Sequence, residues 1–210
     1  MNNIKFWDQR YTGKRGDELG WYESESTPSL NLINQCKIKK NELILDIGSG
    51  ASVLIDDLLY SGYTNVIATD ISSVALNITK ERIVDKDARV QFIVDDITSS
   101  HSLAQCSDVK IWHDRATLHF LTKEKDRNAY LNLLNKILSP SGNVIIATFS
   151  VDGLKQCSGL DIRPYRPDML SKLMGNQYKL LHSFNYDYYT PWGEHRPFIY
   201  TLFKKQNLEE

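Results

Sequence analysis

The chain alternates short apolar segments with longer segments of helical spacing, and this alternation is the feature that most limits its fold. The apolar segments are rich in β-branched residues and flanked by turn residues, which is typical of strands in a parallel sheet covered on both faces. They are residues 43–47, 66–69, 90–94, 109–113 and 143–149. Helical spacing occupies residues 52–60, 72–84 and 123–138. The pattern predicts parallel strands connected by helices on both faces of the sheet.

The last part of the chain has a different pattern. After a short predicted helix at residues 168–174, two long strand-like segments, 178–189 and 198–204, are joined directly by a turn. Two consecutive strands with no helix between them form an antiparallel hairpin. The predicted fold is therefore α/β, a doubly wound and mostly parallel seven-stranded sheet with a C-terminal antiparallel hairpin and helices on both faces.

Glycines and carboxylates stand where the first three predicted strands end. Ligands of open α/β sheets bind at this edge, outside the carboxyl ends of the strands. The residues are Asp46, Gly48, Ser49 and Gly50 after the first strand, Asp70 and Ile71 after the second, and Asp96 and Ile97 after the third. The two glycines allow a tight turn and a close approach of the backbone to a ligand.

The two later carboxylates suggest an adenosine ligand. An acid in the position of Asp70 accepts hydrogen bonds from the two hydroxyls of a ribose in dinucleotide-binding folds, although Asp70 is also suited to capping the next helix. Asp96 is placed to accept from an adenine amino group, and the Ile97 amide to donate to the ring. The ligand lacks a phosphate cradle, because Val53 stands where a dinucleotide fold requires its third glycine and no G-x-x-x-x-G-K-[ST] motif occurs.

With these motifs the chain resembles the class I, seven-stranded S-adenosylmethionine-dependent methyltransferases. The likeness extends to Leu138-Ser139-Pro140-Ser141-Gly142 before the fifth strand, and Ser52 stands where many members have a further glycine. The resemblance implies S-adenosyl-L-methionine as cofactor and S-adenosyl-L-homocysteine as product. It also implies that the first motif surrounds the methionine part, that Asp70 binds the ribose, and that Asp96 binds the adenine.

Two further stretches resemble a bacterial branch related to lysine methyltransferases of citrate synthase and elongation factors. They are the N-terminal segment with Phe6-Trp7-Asp8-Gln9-Arg10-Tyr11 and Gly20-Trp21-Tyr22, and the run from Trp112 to Leu121. The lysine enzymes carry D-K-G-T-L-D in the second stretch. Ala116 replaces their glycine and His119 their final acid, which argues against protein-lysine specificity.

The residues after the fourth strand are the catalytic candidates, because this position faces the methyl group in the fold that the resemblance implies. They are Asp114, His113 and His119, and His113 is also expected to contact the cofactor. A protonated nucleophile needs a general base or a relay, which a carboxylate or an imidazole provides. The alternatives are that Asp114 caps a helix or pairs with Arg115, and that His119 is a half-buried histidine with ordinary partners.

The N-terminal segment and one cysteine supply further candidates, some for the cofactor and some for the acceptor. Trp7 and Tyr11 are expected at the cofactor, where aromatic faces attract the sulfonium cation, and Trp21 and Tyr22 at the acceptor. Arg10 is suited to holding the methionine carboxylate, and Cys157 lies where substrate loops occur. The alternatives are a packed aromatic flap, a surface ion pair for Arg10 and a small structural residue at position 157.

Charge and length complete the expectations. The net charge of −1 lacks the basic excess of a nucleic-acid binder, and no apolar run suits a signal peptide or a membrane span. The three scattered cysteines fit free thiols better than a metal site. We therefore expect a single cytoplasmic domain, 1–210, monomeric or weakly dimeric, with a cap segment (1–40), a cofactor-binding core (41–150) and a substrate loop with the hairpin (151–210).

The expected acceptor is a small molecule first and a protein side chain such as lysine second. Two competing functions are an NAD-dependent Rossmann oxidoreductase and a noncatalytic adenosine-ligand binding protein. Two features count against an oxidoreductase: Val53 stands where the dinucleotide motif requires glycine, and the chain ends in a predicted hairpin. The polar run from His113 to Arg115 counts against the second.

Overall fold

A computed structural model describes residues 4–83 and 89–206 of the chain. Within these ranges the helices are α1 Ile4–Tyr11, α2 Thr27–Gln35, α3 Leu54–Tyr60, α4 Ser73–Arg82, α5 Glu124–Ile137 and α6 Pro167–Met174. The strands are β1 Ile44–Ile47, β2 Val66–Asp70, β3 Val90–Val94, β4 Val109–Arg115, β5 Leu138–Phe149, β6 Gln156–Cys157, β7 Leu160–Asp161, β8 Tyr178–Tyr189 and β9 His195–Lys205. None of these helices has the length and apolar character needed to cross a membrane.

Seven strands form one sheet in the order β3-β2-β1-β4-β5-β9-β8. The pairs from β3 to β5 are parallel, and β9 pairs antiparallel with both β5 and β8. This confirms the predicted doubly wound sheet with its C-terminal hairpin. Strand order reverses between β1 and β4, which is where a sheet of this kind opens a crevice for a ligand.

Successive side chains of the central strands enter two separate cores, because strand side chains alternate between the faces of a sheet. Leu45, Trp112 and Val144 pack on the face covered by α5 and α6. Their neighbours Ile44, Ile111 and Ile145 pack on the face covered by α2 and α3. Burial on both faces explains why these strands appear in the sequence as continuous apolar runs.

Four local features differ from the sequence prediction. β3 lies at the sheet edge, so Val94 is about half exposed and the strand is less buried than expected. β5 begins at Leu138 because this buried residue pairs with Val109 of β4, whereas the sequence predicted a helix up to residue 138 and a strand only from residue 143. The helix predicted at 72–84 ends at Arg82, and Val84 lies outside the described residues. The small hairpin β6–β7 and the helices α1 and α2 were not predicted.

Candidate active site

A large cavity lies over the carboxyl ends of β1, β2, β3 and β4, with an empty volume of about 1380 Å³, part of it open to solvent. The N-terminal segment covers it from the other side. The cavity brings together most of the residues predicted for the site: Trp7, Tyr11, Trp21, Tyr22, Asp46, Gly48, Ser49, Gly50, Asp70, Ile71, Asp96, Ile97, His113 and Cys157. The strand-end motifs and the N-terminal aromatic residues therefore belong to a single site.

The glycine turn after β1 has no room for side chains at its two glycines. Gly48 and Gly50 have φ values of 60° and 56°, in the left-handed region that glycine tolerates best. A Cβ at Gly48 would collide with the Thr117 side chain, and one at Gly50 would lie 2.6 Å from the Tyr11 hydroxyl. The turn therefore presents bare backbone to the cavity, as the sequence predicted.

Three polar atoms around this turn are buried and have no hydrogen-bond partner among the described residues. They are Asp46 Oδ2, Ser49 Oγ and Thr69 Oγ1, and all three residues line the cavity. An unpaired buried polar group costs about 1–3 kcal/mol, so these atoms favour a polar ligand beside the turn. A carboxylate and two hydroxyls suit the ammonium and carboxylate groups of a methionine moiety. The residues present thus fit the expected cofactor.

His113 holds the Asp46 carboxylate in place. Its Nδ1 lies 2.6 Å from Asp46 Oδ1, and its Nε2 lies 2.9 Å from Ser29 Oγ of α2. His113 and Asp46 are both about 2% exposed. Both ring nitrogens are engaged, so proton exchange with an acceptor requires one of these bonds to break. His113 lines the cavity as predicted, and its geometry is that of a positioning residue for Asp46.

Asp70 organises the junction between the glycine turn and α4. Its Oδ2 accepts from the Gly50 amide at 3.0 Å and its Oδ1 from the Ser72 amide at 2.8 Å. The cap of α4 is Ser72, whose hydroxyl accepts from the Ala75 amide, so Asp70 is not the helix cap considered from the sequence. Burial raises the pKa of Asp70 to about 6. The carboxylate lines the cavity, and its contact with a ribose stays a prediction.

The end of β3 supplies the region predicted for the adenine. Asp96, Ile97 and Thr98 line the cavity, and Asp96 Oδ1 accepts from both the amide and the hydroxyl of Thr98. Asp95 also lines the cavity, and its Oδ2 accepts from the Ser100 hydroxyl at 2.7 Å. These short-range bonds fix the loop after β3 and leave its edge facing the cavity.

Asp114 lies away from the cavity, which corrects the expectation that it faces the acceptor. It is fully buried on the opposite face of β4 from His113 and Arg115. Its carboxylate accepts from the Thr117 and Leu118 amides at 2.9 and 3.1 Å. It also accepts from the Tyr130 hydroxyl at 2.9 Å. Burial raises its pKa to about 6. Asp114 therefore has a structural role, in which it ties the turn after β4 to Tyr130 of α5, and it is neither a helix cap nor the partner of Arg115, the two alternatives left open by the sequence.

His119 and Arg10 also lie outside the cavity lining, against expectation. His119 is fully buried against the rings of Phe120 and Phe149, and this burial lowers its pKa to about 3. A neutral, enclosed imidazole is not placed to exchange a proton with an acceptor. Arg10 Nη2 donates to the Ser158 carbonyl at 2.5 Å, so it joins α1 to the β6–β7 hairpin instead of facing the cavity.

The N-terminal segment covers the cavity with packed aromatic rings. Trp7 meets Trp21 and Phe120 edge-to-face, with ring centroids 6.2 and 5.0 Å apart, and Tyr11 meets Trp21 at 5.6 Å. The hydroxyl of Tyr188 on β8 lies 3.2 Å from the Gly20 carbonyl and 2.7 Å from the Tyr22 carbonyl. The aromatic residues are therefore both cavity lining and a packed flap, so the two interpretations of the sequence coexist.

Sequence reasoning missed a buried ion pair in the lining, between Glu23 and Arg115. Arg115 Nε lies 3.0 Å from Glu23 Oε2, and the two side chains are 12% and 10% exposed. Arg115 Nη1 also donates to the Trp21 carbonyl at 3.1 Å. Glu23 Oε1 and Arg115 Nη2 are buried without a partner among the described residues. The two residues are far apart in the sequence, and no motif pairs them.

Comparisons with known proteins agree with this geometry. A family model described as a methyltransferase domain matches residues 38–182. The EEF1A lysine methyltransferase 2 of Danio rerio is 26% identical over 160 residues, which cover 70% of this chain and 69% of that protein.

Two solved structures show the same fold at low identity. The N-methyltransferase NodS of Bradyrhizobium japonicum, in complex with S-adenosyl-L-homocysteine, has a TM-score of 0.74 at 11% identity and covers 99% of this chain and 100% of that one. The 1,6-didemethyltoxoflavin-N1-methyltransferase of Burkholderia thailandensis has a TM-score of 0.68 at 16% identity. It covers 98% of this chain and 84% of that one.

Proposed function

The chain belongs to the methyltransferase domain family and is an S-adenosylmethionine-dependent methyltransferase, and we propose that its acceptor is a small molecule. The observation that carries this proposal is the aromatic cover of the cavity. Trp7, Trp21 and Phe120 close over the strand ends, and a small acceptor fits beneath such a cover more easily than a folded protein surface does. We expect the enzyme to act in the cytoplasm as a monomer or weak homodimer.

The proposed roles of the chain's residues are to bind, orient and exclude water. S-adenosylmethionine supplies an electrophilic methyl group on a sulfonium sulfur when it is bound. Asp46 is oriented by His113 to accept from the ammonium of the methionine part. Asp70 accepts from the ribose hydroxyls, and Asp96 accepts from the adenine amino group. The bare glycine backbone allows the ligand to approach closely.

The aromatic cover serves the reaction in two ways under this proposal. In-line displacement depends mainly on holding the acceptor and the methyl carbon in contact and in line, because little other chemistry is required. Rings of Trp7, Tyr11 and Trp21 keep bulk water from this contact, and their faces attract positive charge near the sulfur. Asp114 and His119 are not given a direct role, because both lie outside the cavity lining.

A protein lysine side chain is the second candidate acceptor. It is favoured by the relative from Danio rerio, whose name identifies it as a lysine methyltransferase. It is disfavoured by Ala116, which takes a φ of 72° at a position where the lysine enzymes carry glycine. His119 also departs from their pattern, and it is buried.

Labelling in cell extract separates the two candidates. The purified enzyme is incubated with extract and S-adenosylmethionine that carries a radiolabelled methyl group, and the protein fraction is then separated from small molecules. We expect the label among the small molecules, with boiled enzyme as the control. Label confined to a protein band would replace the small molecule with a protein acceptor. No transfer to either fraction, although the enzyme binds S-adenosylhomocysteine, would count against catalysis of both kinds.

A further inference from the structure

A second, open groove adjoins the cavity and shares Tyr22 and Glu23 with it. Four carboxylates line this groove, those of Asp17, Glu23, Glu25 and Asp187. Its other wall is a run of tyrosines on β8, at positions 186, 188 and 189. The described lining contains no lysine or arginine. We call this surface the tyrosine groove. Its negative charge favours a positively charged ligand.

Glu23 lies where the tyrosine groove meets the cavity. One of its oxygens, Oε2, is 3.0 Å from Arg115 Nε, and this contact orients the carboxylate. The other oxygen, Oε1, is buried and has no partner among the described residues, although the side chain is 10% exposed. A buried carboxylate oxygen without a donor is costly, so the geometry calls for a hydrogen-bond donor at this point.

The position of Glu23 is fixed by contacts on both sides. The Tyr188 hydroxyl of β8 donates to the Gly20 and Tyr22 carbonyls. Arg115 donates to the Trp21 carbonyl, which lies between these two in the sequence. The Arg115 guanidinium itself lies over the rings of Tyr188 and Phe198, at 5.2 and 5.1 Å from their centroids. Glu23 is therefore a preorganised acceptor at the entrance, since its neighbours are tied to the sheet.

We propose that the group methylated by this enzyme is an amine, which enters through the tyrosine groove as an ammonium and donates a hydrogen bond to Glu23 Oε1. The inference rests on the proposed methyl transfer and adds the chemical class of the acceptor. An ammonium supplies the missing donor, matches the four carboxylates and is attracted by tyrosine faces. A small amine and a lysine side chain share this chemistry, and the experiment below separates them.

The proposed transfer balances in protons and electrons. The ammonium loses one proton to the Glu23 carboxylate, which releases it to water through the groove. The freed lone pair of the nitrogen then forms the nitrogen–carbon bond as the carbon–sulfur bond breaks, and the electron pair of that bond stays on sulfur. The products are the methylated ammonium, S-adenosylhomocysteine and one released proton. Burial raises the pKa of Glu23, and this makes its carboxylate a better proton acceptor.

Arg115 provides the competing interpretation. Its Nη2 is also buried without a partner, and a guanidinium N–H is suited to an acceptor that carries a carboxylate. The charges of the groove oppose that choice, because an anion would pass Asp17, Glu25 and Asp187 on its way to the cavity. Arg15 and His195 pair with two of these carboxylates, but both partners are themselves well exposed to solvent.

Binding to the enzyme saturated with S-adenosylhomocysteine tests the proposal without requiring turnover. The probes are n-hexylamine, hexanoate and a short acetylated peptide that contains one lysine, each titrated by calorimetry. We expect hexylamine to bind and hexanoate not to bind. Glu23→Gln should weaken the binding of hexylamine at least tenfold, while the affinity for S-adenosylhomocysteine should stay within twofold of the wild-type value. Glu81→Gln, an exposed acid on α4, is the matched control and should change neither affinity.

A second variant covers the case in which Glu23→Gln fails to fold. The double variant Glu25→Gln, Asp187→Asn removes two charges from the groove and should weaken the binding of hexylamine several-fold at low ionic strength. The effect should be smaller at high ionic strength, because salt already screens the attraction between the carboxylates and the ammonium. Peptide binding that exceeds hexylamine binding identifies a lysine acceptor, and the reverse identifies a small amine. Hexanoate binding, or no hexylamine binding to an enzyme that binds S-adenosylhomocysteine, overturns the proposal and leaves the methyltransferase function intact.

Discussion

At the residue scale, we predict that Asp70 makes cofactor binding dependent on pH. Its carboxylate is buried at the cavity, and this burial raises its pKa to about 6. A raised pKa means that the acid is protonated below pH 6 and ionised above it. The ionised form accepts from the Gly50 and Ser72 amides, and under the proposed binding mode it also accepts from both ribose hydroxyls. We therefore expect affinity for S-adenosylhomocysteine to be constant above pH 7 and to fall below pH 6 by up to about tenfold per pH unit.

Asp70→Ala provides the control for this pH dependence. Loss of charge-assisted hydrogen bonds worth about 1.5–3 kcal/mol should weaken binding about ten- to a hundredfold and remove the fall near pH 6. Calorimetry at pH 5 to 8 with both proteins measures it, and circular dichroism checks that they are folded. An affinity within twofold of wild type at neutral pH would mean that Asp70 only holds the turn.

Asp114 should act on stability and not on binding. Asp114→Ala leaves the Thr117 amide, the Leu118 amide and the Tyr130 hydroxyl without their acceptor. Each of the three unpaired buried donors costs on the order of 1–3 kcal/mol, so we expect urea denaturation to show a loss of at least about 3 kcal/mol. Affinity for S-adenosylhomocysteine should stay within about threefold. A large fall in turnover with unchanged stability would restore the catalytic role considered from the sequence.

These residues show what the sequence was able to locate. Asp46, Asp70 and Asp96 were placed together because parallel strands end at one edge of the sheet, whatever the contacts are. Asp114 was misplaced because adjacent residues on a strand face opposite ways, and the sequence does not say which one faces the ligand. The Glu23–Arg115 pair was missed because nothing local to either residue indicates a partner so far along the chain.

At the element scale, the N-terminal segment is attached to the rest of the molecule by a few specific bonds. Asp8 accepts from the Ser72 hydroxyl at 2.6 Å, and Arg10 donates to the Ser158 carbonyl of the β6–β7 hairpin. Trp7 and Trp21 pack against a small cluster that contains Tyr11, Ala51 and Ala75. The segment therefore covers the site without contributing a strand to the sheet.

Deleting residues 1–22 should abolish turnover and leave the sheet folded. The deletion removes Trp7, Tyr11 and Trp21 from the cavity, so water enters and the acceptor loses its contacts. Cofactor affinity should weaken moderately, because the glycine turn and Asp70 remain. Turnover and calorimetry measure the two effects, and Lys5→Ala, an exposed residue of α1, is the control. If the truncated enzyme transferred methyl groups at the full-length rate, the N-terminal segment would have only a packing role.

The elements themselves were predicted unevenly, for a physical reason. The central strands are buried on both faces, so their apolar runs identified them without knowledge of their neighbours. α1 has eight residues and buries only Tyr11, whereas α5 has fourteen and buries six, so α1 was too short for its pattern to identify it as a helix. β6 and β7 have two residues each, too few for any alternation to appear.

At the scale of the whole molecule, cofactor binding should stabilise the fold, because one ligand contacts the ends of several strands and the N-terminal segment at the same time. The cavity takes its lining from the ends of β1, β2, β3 and β4 and from the N-terminal segment. Several of its polar atoms lack partners among the described residues, so the ligand supplies contacts that the chain itself does not make. A ligand that binds only the folded state shifts unfolding in proportion to the logarithm of its concentration.

Thermal unfolding measures this stabilisation and discriminates the cofactor. At 100 times a micromolar Kd, S-adenosylhomocysteine should add about 2.7 kcal/mol, which corresponds to a rise in Tm of roughly 5–10 °C for a domain of this size. NAD should give no rise, because Val53 precedes α3 where a pyrophosphate site needs glycine. The increase should grow by a constant step for each tenfold increase in ligand. A rise in Tm with NAD and none with S-adenosylhomocysteine would contradict the cofactor assignment, since the same cavity would then bind a dinucleotide.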